Sequence, residues 1–132
     1  MRKTLKSVLI KLAAMILFLA VAGAIFIARA EKNLKALAGM PVEDNDLSAV
    51  PDGTYHGSYS AFPVAVELQV TAEDNEITAI DLIKHRTGQG QAAEALPKMV
   101  IEAQSLQVDT ISGATYSSKV ILLAIKDALT TE

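Results

Sequence analysis

The chain has 132 residues, a formal net charge of -3 and no cysteine. Four of the twelve basic residues lie in the first eleven positions, so the rest of the chain carries eight basic against fifteen acidic residues. This acidic balance argues against nucleic acid as a partner, since phosphate binding relies on a basic surface. The lack of cysteine excludes disulfides, thiolate metal sites and cysteine catalysis.

The first thirty residues predict a membrane anchor. The stretch Leu12–Ala28 contains no charged residue, and Ser7–Ile10 extends it past a single lysine. A helix of this length nearly spans a hydrocarbon core of about 30 Å. The basic residues before it favour a cytoplasmic N-terminus, which would place the remaining chain outside the cytoplasm. We expect an anchor over residues 1–30, with the transmembrane helix at about residues 8–28.

A cleaved signal peptide is the competing interpretation of this segment. Both Ala22–Ala24 and Ala28–Ala30 offer small residues of the kind found at cleavage sites. The apolar stretch is longer than the roughly 7 to 15 residues of a typical signal peptide, which favours an uncleaved anchor. Both interpretations export the rest of the chain.

Residues 31–50 are predicted to be a linker. They mix charge and alanine, and Gly39, Pro41 and the acidic cluster Glu43–Asp46 interrupt any long period. The globular domain is expected to occupy residues 51–132.

The start of this domain has the pattern of antiparallel strands. Tyr55–Ser60 is a predicted strand, and Pro63–Thr71 alternates apolar with polar residues as a half-buried strand does. Asp74 and Asn75 predict a turn, after which Ile77–Lys84 would return as the second strand of a hairpin.

Helices are predicted in the second half of the domain. Pro97 suits the first turn of a helix running to about Ser105, and a short strand is expected at about Val108–Ile111. Apolar residues then recur at helical spacing after Lys119; they are Val120, Ile121, Ala124, Ile125, Ala128 and Leu129. The predicted fold class is α+β: a small twisted antiparallel sheet with packed helices, preceded by one transmembrane helix.

The run Asp109-Thr110-Ile111-Ser112-Gly113-Ala114-Thr115 lies just before this last helix. Unpaired N–H groups and the positive end of the helix dipole favour an anion at such a position. A phosphate at or near Thr115 would therefore be well placed. Taken alone, small polar residues before a helix also serve as ordinary turn and capping residues.

The complete pattern, an aspartate, two residues and Ser-Gly-Ala-Thr, resembles the flavinylation motif of the FMN-binding domain family. Members occur in the sodium-pumping NADH:quinone oxidoreductase, in the Rnf complex and among extracellular electron carriers. The resemblance also covers Asp52–Tyr55, the hairpin and Ile101–Ser105. It implies that a dedicated flavin transferase joins FMN covalently to Thr115 as a phosphoester, and that Asp109–Ala114 shape the segment presented to this enzyme.

The candidate cofactor-binding residues are Thr115, which carries the ester, and five neighbours: Asp109, Ser112, Gly113, Ala114 and Tyr116. Among the aromatic residues, only Tyr116 is tied to the motif by position. His85 and Arg86 could face a flavin, but an ordinary solvated strand end is the preferred interpretation. No metal site is predicted, because His56 and His85 are too far apart for ligand spacing.

Dinucleotide binding and hydrolysis are two alternatives to flavin binding. Gly88–Ala93 matches a dinucleotide fingerprint, but the strands before it alternate as in an antiparallel sheet and Pro97 interrupts the helix after it, so a flexible loop is favoured. Asp109 and Thr115 could suggest hydrolysis, but no histidine follows the threonine and no nucleophile elbow is present.

The sequence therefore predicts a membrane-anchored extracytoplasmic flavoprotein that passes electrons between redox partner proteins or into a membrane electron-transfer complex. No catalytic residue is assigned, because an electron-transfer protein fits better than a stand-alone enzyme. A binding or sensory module without flavin, and an anchored flavin-dependent reductase with its own small-molecule substrate, stay open as alternatives.

Overall fold

The computed structural model describes residues 1–44, 49–86 and 90–130. In chain order the elements are helix α1 (Arg2–Ala38), strands β1 (Gly53–Ala61), β2 (Val64–Glu73) and β3 (Glu76–Arg86), a 3-10 helix (Gln91–Ala95), and helices α2 (Leu96–Ala103) and α3 (Thr115–Thr130). The chain divides into two compact units, Met1–Lys32 and Asn33–Glu132. The predicted α+β class is confirmed.

The first unit consists of most of α1. Within the described part of the chain, α1 is the one helix long and apolar enough to cross a membrane. Its apolar window has a mean hydropathy of 2.6 and no buried residue. A helix that is apolar all round and has no protein cover suits a lipid environment by its length and composition.

The second unit is built on an antiparallel sheet with strand order β1-β2-β3. The Phe62–Pro63 peptide bond between β1 and β2 is cis. Asp74 and Asn75 join β2 to β3, with φ of 52° and 63°. Positive φ at both central residues is characteristic of a type I′ turn, whose twist matches that of a two-residue hairpin. The predicted hairpin and its turn are confirmed.

One face of the sheet forms the core together with α3. Along β2 the buried positions alternate as predicted, and they are Val64, Val66, Leu68, Val70 and Ala72. The apolar stripe of α3 covers them, with Val120, Ile121, Ala124, Ile125 and Ala128 all buried. Every second residue of β2 faces the same side of the sheet, and the helical spacing on α3 forms one apolar stripe. The two apolar surfaces are buried against each other.

Helix α3 approaches β1 unusually closely at Gly57. A Cβ atom at this position would lie 2.1 Å from the carbonyl oxygen of Ala124 and 2.7 Å from the backbone nitrogen of Ala128. Next to it, the Ser58 N–H donates a hydrogen bond of 2.9 Å to Asp127 Oδ2 on α3. Glycine thus lets the helix lie on the edge strand, and Asp127 closes part of that edge.

The short strand predicted at Val108–Ile111 is wrong. These residues form no strand, and the Ile111 N–H donates to the Ser118 hydroxyl instead of to a ladder. The backbone groups at the start of β3 already have hydrogen-bond partners, because the Gln104 amide donates to the carbonyl of Ile77 and accepts from its N–H, each at 2.8 Å. Apolar β-branched residues favoured the strand locally, but side chains provide the hydrogen-bond partners that a ladder would supply.

Helix α2 follows the prediction closely, with Pro97 in its first turn. It ends where Gln104 adopts the left-handed conformation, at φ 49°. The preceding 3-10 helix was not predicted. Its residues Gln91–Ala93 belong to the segment expected to be a flexible loop, and Gly88 and Gln89 of that segment lie outside the described residues.

The residues before the sheet contribute to the core of the second unit. Leu37, at the end of α1, is 2% exposed and belongs to the core cluster. The Lys119 ammonium donates to the carbonyl of Met40 at 2.7 Å, and Asp44 accepts from the N–H of Leu106 at 2.9 Å. Residues 45–48 of the predicted linker lie outside the described residues. The division into residues 1–30, 31–50 and 51–132 stays a prediction.

Candidate functional site

The motif forms a tight turn that leads into α3. The Ala114 N–H donates to the carbonyl of Ile111 at 2.9 Å, and Gly113 between them has φ +79°. This hydrogen bond and the positive φ at the third residue are those of a type II turn, which favours glycine there. A Cβ at Gly113 would meet nothing within 4 Å, so the backbone conformation, and not lack of space, calls for glycine.

Helix α3 begins immediately after this turn. The carbonyl of Ala114 accepts a hydrogen bond of 2.9 Å from the Ser118 N–H, which places Ala114 at the N-cap and Thr115 at the first helical position. Alanine has no side-chain oxygen to accept from the first N–H groups of the helix. The prediction that the turn lies at a helix N-terminus is confirmed, and this end of the helix is suited to an anion.

A buried serine holds the turn against the helix. Ser118 is fully buried, and its hydroxyl donates to the carbonyl of Ala114 at 2.8 Å and accepts from the Ile111 N–H at 3.0 Å. Both ends of the turn are thus fixed from inside the fold. Sequence analysis missed this residue, although a serine one helical turn after the small-residue run is the signal that could have found it.

The structure brings five of the six candidate residues together in one continuous surface segment. Ser112, Gly113 and Thr115 are exposed, Tyr116 is 39% exposed, and Ala114 is buried beneath them. The Thr115 hydroxyl makes no hydrogen bond to any residue that the structure describes. Thr115, the residue that the sequence predicts to carry the ester, is therefore exposed at the first position of the helix.

Asp109 lines an open groove of about 450 Å³ beside α2, together with Met99, Glu102, Ala103, Gln107 and Val108. Its carboxylate forms no hydrogen bond with the helix N-terminus among the residues described. Asp109 is an exposed feature of the segment leading to the turn and does not cap α3.

His85 does not have the solvated environment that the sequence favoured. Its side chain is 3% exposed, and Nδ1 lies 3.1 Å from Glu94 Oε1 on the 3-10 helix. Nε2 is buried and has no hydrogen-bond partner among the residues described. The preferred interpretation of a solvated strand end is therefore wrong for His85, whereas Arg86 is exposed as expected.

A β-bulge in β3 determines which face of the sheet His85 occupies. Leu82 pairs with Leu68 on the core face, but Lys84 pairs with Glu67 on the other face, which leaves Ile83 as an extra residue. An extra residue reverses the alternation beyond it. His85 consequently pairs with the buried Val66 and points to the core side.

Two other kinds of site considered from the sequence are a metal site and a dinucleotide site. Among the described residues, no group of three or more histidine, cysteine, aspartate or glutamate side chains could hold a metal ion. The strands before Gly90 pair only in antiparallel fashion in the described ranges, whereas a dinucleotide fold needs parallel strands.

Comparison with known proteins supplies two matches. The chain is 25% identical over 103 residues to an NADH:acrylate oxidoreductase of Vibrio harveyi, a match that covers 74% of this chain. It spans only 10% of that relative's length. The model of the FMN-binding domain matches residues 60–130, which is more than half of the chain and includes the whole motif. The resemblance seen in the sequence is confirmed: the chain belongs to the FMN-binding domain family.

Proposed function

We propose that this protein is a membrane-anchored, extracytoplasmic flavoprotein that carries FMN covalently on Thr115 and transfers electrons between redox partners. The family match supports FMN as the cofactor, and the likeness to an oxidoreductase supports an electron-transfer role. The observation that carries the attachment site is the exposed Thr115 at the first position of α3, whose hydroxyl makes no hydrogen bond to any described residue.

The residues around Thr115 fit a phosphate ester. Gly113 has no side chain and open space beside it, and Ala114 is buried, so neither obstructs a group attached to the threonine. The N-terminus of α3 offers N–H groups and a partial positive charge to the phosphate oxygens. In this proposal Ser112–Tyr116 hold the phosphate end, and Asp109 belongs to the surface that a flavin transferase recognises.

When bound, FMN supplies the redox chemistry, and the protein sets its position, its potential and its access to solvent. A covalent link has a clear advantage for an exported carrier. A reversibly bound cofactor would be lost by dilution outside the cell, whereas an ester holds it regardless of binding affinity. Partners would be the flavin transferase during maturation, and afterwards redox proteins or a membrane electron-transfer complex.

In-gel flavin fluorescence after denaturation tests the attachment. The full chain is coexpressed with a flavin transferase, and Thr115→Ala is compared with Thr110→Ala, a matched change in the same segment. We expect fluorescence in the wild type and in Thr110→Ala, none in Thr115→Ala, and a weaker signal in Thr115→Ser. Fluorescence that persists in Thr115→Ala would place the link elsewhere.

Cysteine labelling tests the orientation, because the chain contains no cysteine of its own. Ser60 is exposed on β1 and Thr4 lies near the start of α1. A membrane-impermeant thiol reagent applied to intact cells should label Ser60→Cys, and should label Thr4→Cys only after lysis. Labelling of Thr4→Cys alone would reverse the proposed topology.

An anchored reductase is the second candidate, because the Vibrio harveyi relative is an NADH:acrylate oxidoreductase. The flavinylated protein, chemically reduced, would be mixed with acrylate in the absence of any partner protein. Reoxidation that depends on acrylate would favour the enzyme. Electron transfer only in the presence of a second protein would favour the carrier.

A further inference from the structure

His85 has an unusual environment for a polar side chain in this fold. Its Nε2 is the buried side-chain nitrogen or oxygen atom, among the residues described, that has no hydrogen-bond partner. Ser118 is equally enclosed, yet its hydroxyl both donates and accepts. Native proteins rarely leave a buried polar atom unsatisfied, because its desolvation is then uncompensated. This atom therefore needs a partner that the described residues do not supply.

The imidazole is also held in a defined orientation. Its Nδ1 lies 3.1 Å from the carboxylate of Glu94, whose side chain is half exposed. A carboxylate accepts hydrogen bonds, so Nδ1 carries a hydrogen in this pair, and Nε2 is the ring nitrogen left to bond elsewhere. An imidazole that is oriented by a hydrogen bond at one nitrogen and has no described partner at the other resembles a ligand-binding histidine more than a packing residue.

The partner of this histidine, Glu94, lies on an element that packs against α3. The 3-10 helix that contains Glu94 packs against α3, whose first residue is Thr115. The bulge at Ile83 turns His85 to the same face of the sheet that α3 covers. The neighbours of His85 along β3, Lys84 and Arg86, are exposed.

We propose that His85 is a flavin-contact residue, whose Nε2 hydrogen-bonds to the polar edge of the isoalloxazine of FMN, and that Glu94 is the positioning residue that fixes its ring. This inference rests on the proposed function. The isoalloxazine has both N–H donors and N or O acceptors along one edge, so it matches a single vacant imidazole nitrogen. Its charge distribution changes on reduction, so this hydrogen bond shifts the reduction potential.

Nitrogen NMR of the histidine rings tests the contact without mutating His85. Spectra of the flavinylated full chain in detergent are compared with those of Thr115→Ala, which lacks the proposed ester. His56 is the internal control, because it lies on the opposite face of the sheet with Nε2 3.1 Å from the Gln69 amide nitrogen. We expect the Nε2 resonance of His85 to shift between the two proteins and that of His56 to stay in place.

Redox titration provides an independent measurement. His85→Leu, Glu94→Gln and the control His56→Gln are compared with the wild type after mass spectrometry has established that each carries FMN. For His85→Leu we expect about a tenfold change in the ratio of reduced to oxidised flavin at a fixed potential, which is about 30 mV for a two-electron couple. Glu94→Gln should give a smaller change, and His56→Gln none.

The outcomes separate this inference from the function on which it rests. A wild-type chain without FMN overturns both. A flavinylated wild type in which the His85 resonance and the potentials of His85→Leu and Glu94→Gln are unchanged overturns the histidine contact alone. If His85→Leu fails to fold, the NMR comparison and Glu94→Gln decide the question, since both retain the native histidine.

Discussion

Replacing Gly57 with alanine perturbs the closest contact between α3 and the sheet. The added methyl carbon would lie 2.1 Å from the carbonyl oxygen of Ala124, and 2.7 Å from both the nitrogen and the Cβ of Ala128. Two of these three atoms belong to the helix backbone, so no side-chain rotation can relieve the overlap. The helix must move away from β1 or the strand must bend.

The expected cost is large for one methyl group. Overpacking a well-packed core costs about 1–3 kcal/mol, and we expect a value near the upper end because backbone atoms are involved. In a domain of this size about 1 kcal/mol corresponds to roughly 4–8 °C in Tm. Gly57→Ala should therefore lower Tm by about 10–20 °C.

Thermal unfolding of the full chain in detergent, followed by far-UV circular dichroism, measures this cost. Ser60→Ala, an exposed change on the same strand, is the matched control and should stay close to wild type. The double variant Gly57→Ala with Ala128→Gly should recover little, because the carbonyl of Ala124 remains the nearest obstacle. A Tm for Gly57→Ala equal to that of Ser60→Ala would refute the close helix approach.

Substitutions at three further positions test the hydrogen bonds and the turn that support the site. Gln104→Ala removes the side-chain amide that satisfies both backbone groups of Ile77, and should cost about 1–3 kcal/mol in urea unfolding; Gln104→Gly should cost less, because glycine adopts the left-handed conformation freely. Ser118→Ala should speed hydrogen exchange at the Ile111 amide, which loses its acceptor, and unchanged exchange would contradict the assigned role. Gly113→Ala should cost about 1–2 kcal/mol through backbone strain alone, so a neutral change would argue against the positive φ.

Much of the fold follows from local patterns in the sequence. The alternation along β2, the Asp74–Asn75 turn and the apolar stripe of α3 each reflect one period or one turn type, and all appear in the structure. The strand expected at Val108–Ile111 fails because strand formation needs a partner. No local pattern reveals that Gln104 occupies the start of β3, and the hydrogen bond from the Ile111 N–H to the Ser118 hydroxyl joins residues seven positions apart across the turn.

The candidate site likewise has features that the local sequence predicts and features that depend on contacts between distant residues. The turn and the helix start around Thr115 are local features, so small residues before an apolar stripe were enough to locate them. The environment of His85 depends on a bulge at Ile83 and on contact with Glu94, nine residues further along the chain. A one-residue slip in register reverses every side chain beyond it, so the face that His85 occupies depends on bulges that the sequence does not reveal.

Mass spectrometry of the full chain, coexpressed with a flavin transferase, tests the central claim most directly. The account predicts an intact mass increased by one FMN less one water. It also predicts that the tryptic peptide Met99–Lys119 carries the added mass on Thr115, and not on Thr110 or Ser112. An unmodified chain, or an adduct on any other residue, would contradict it.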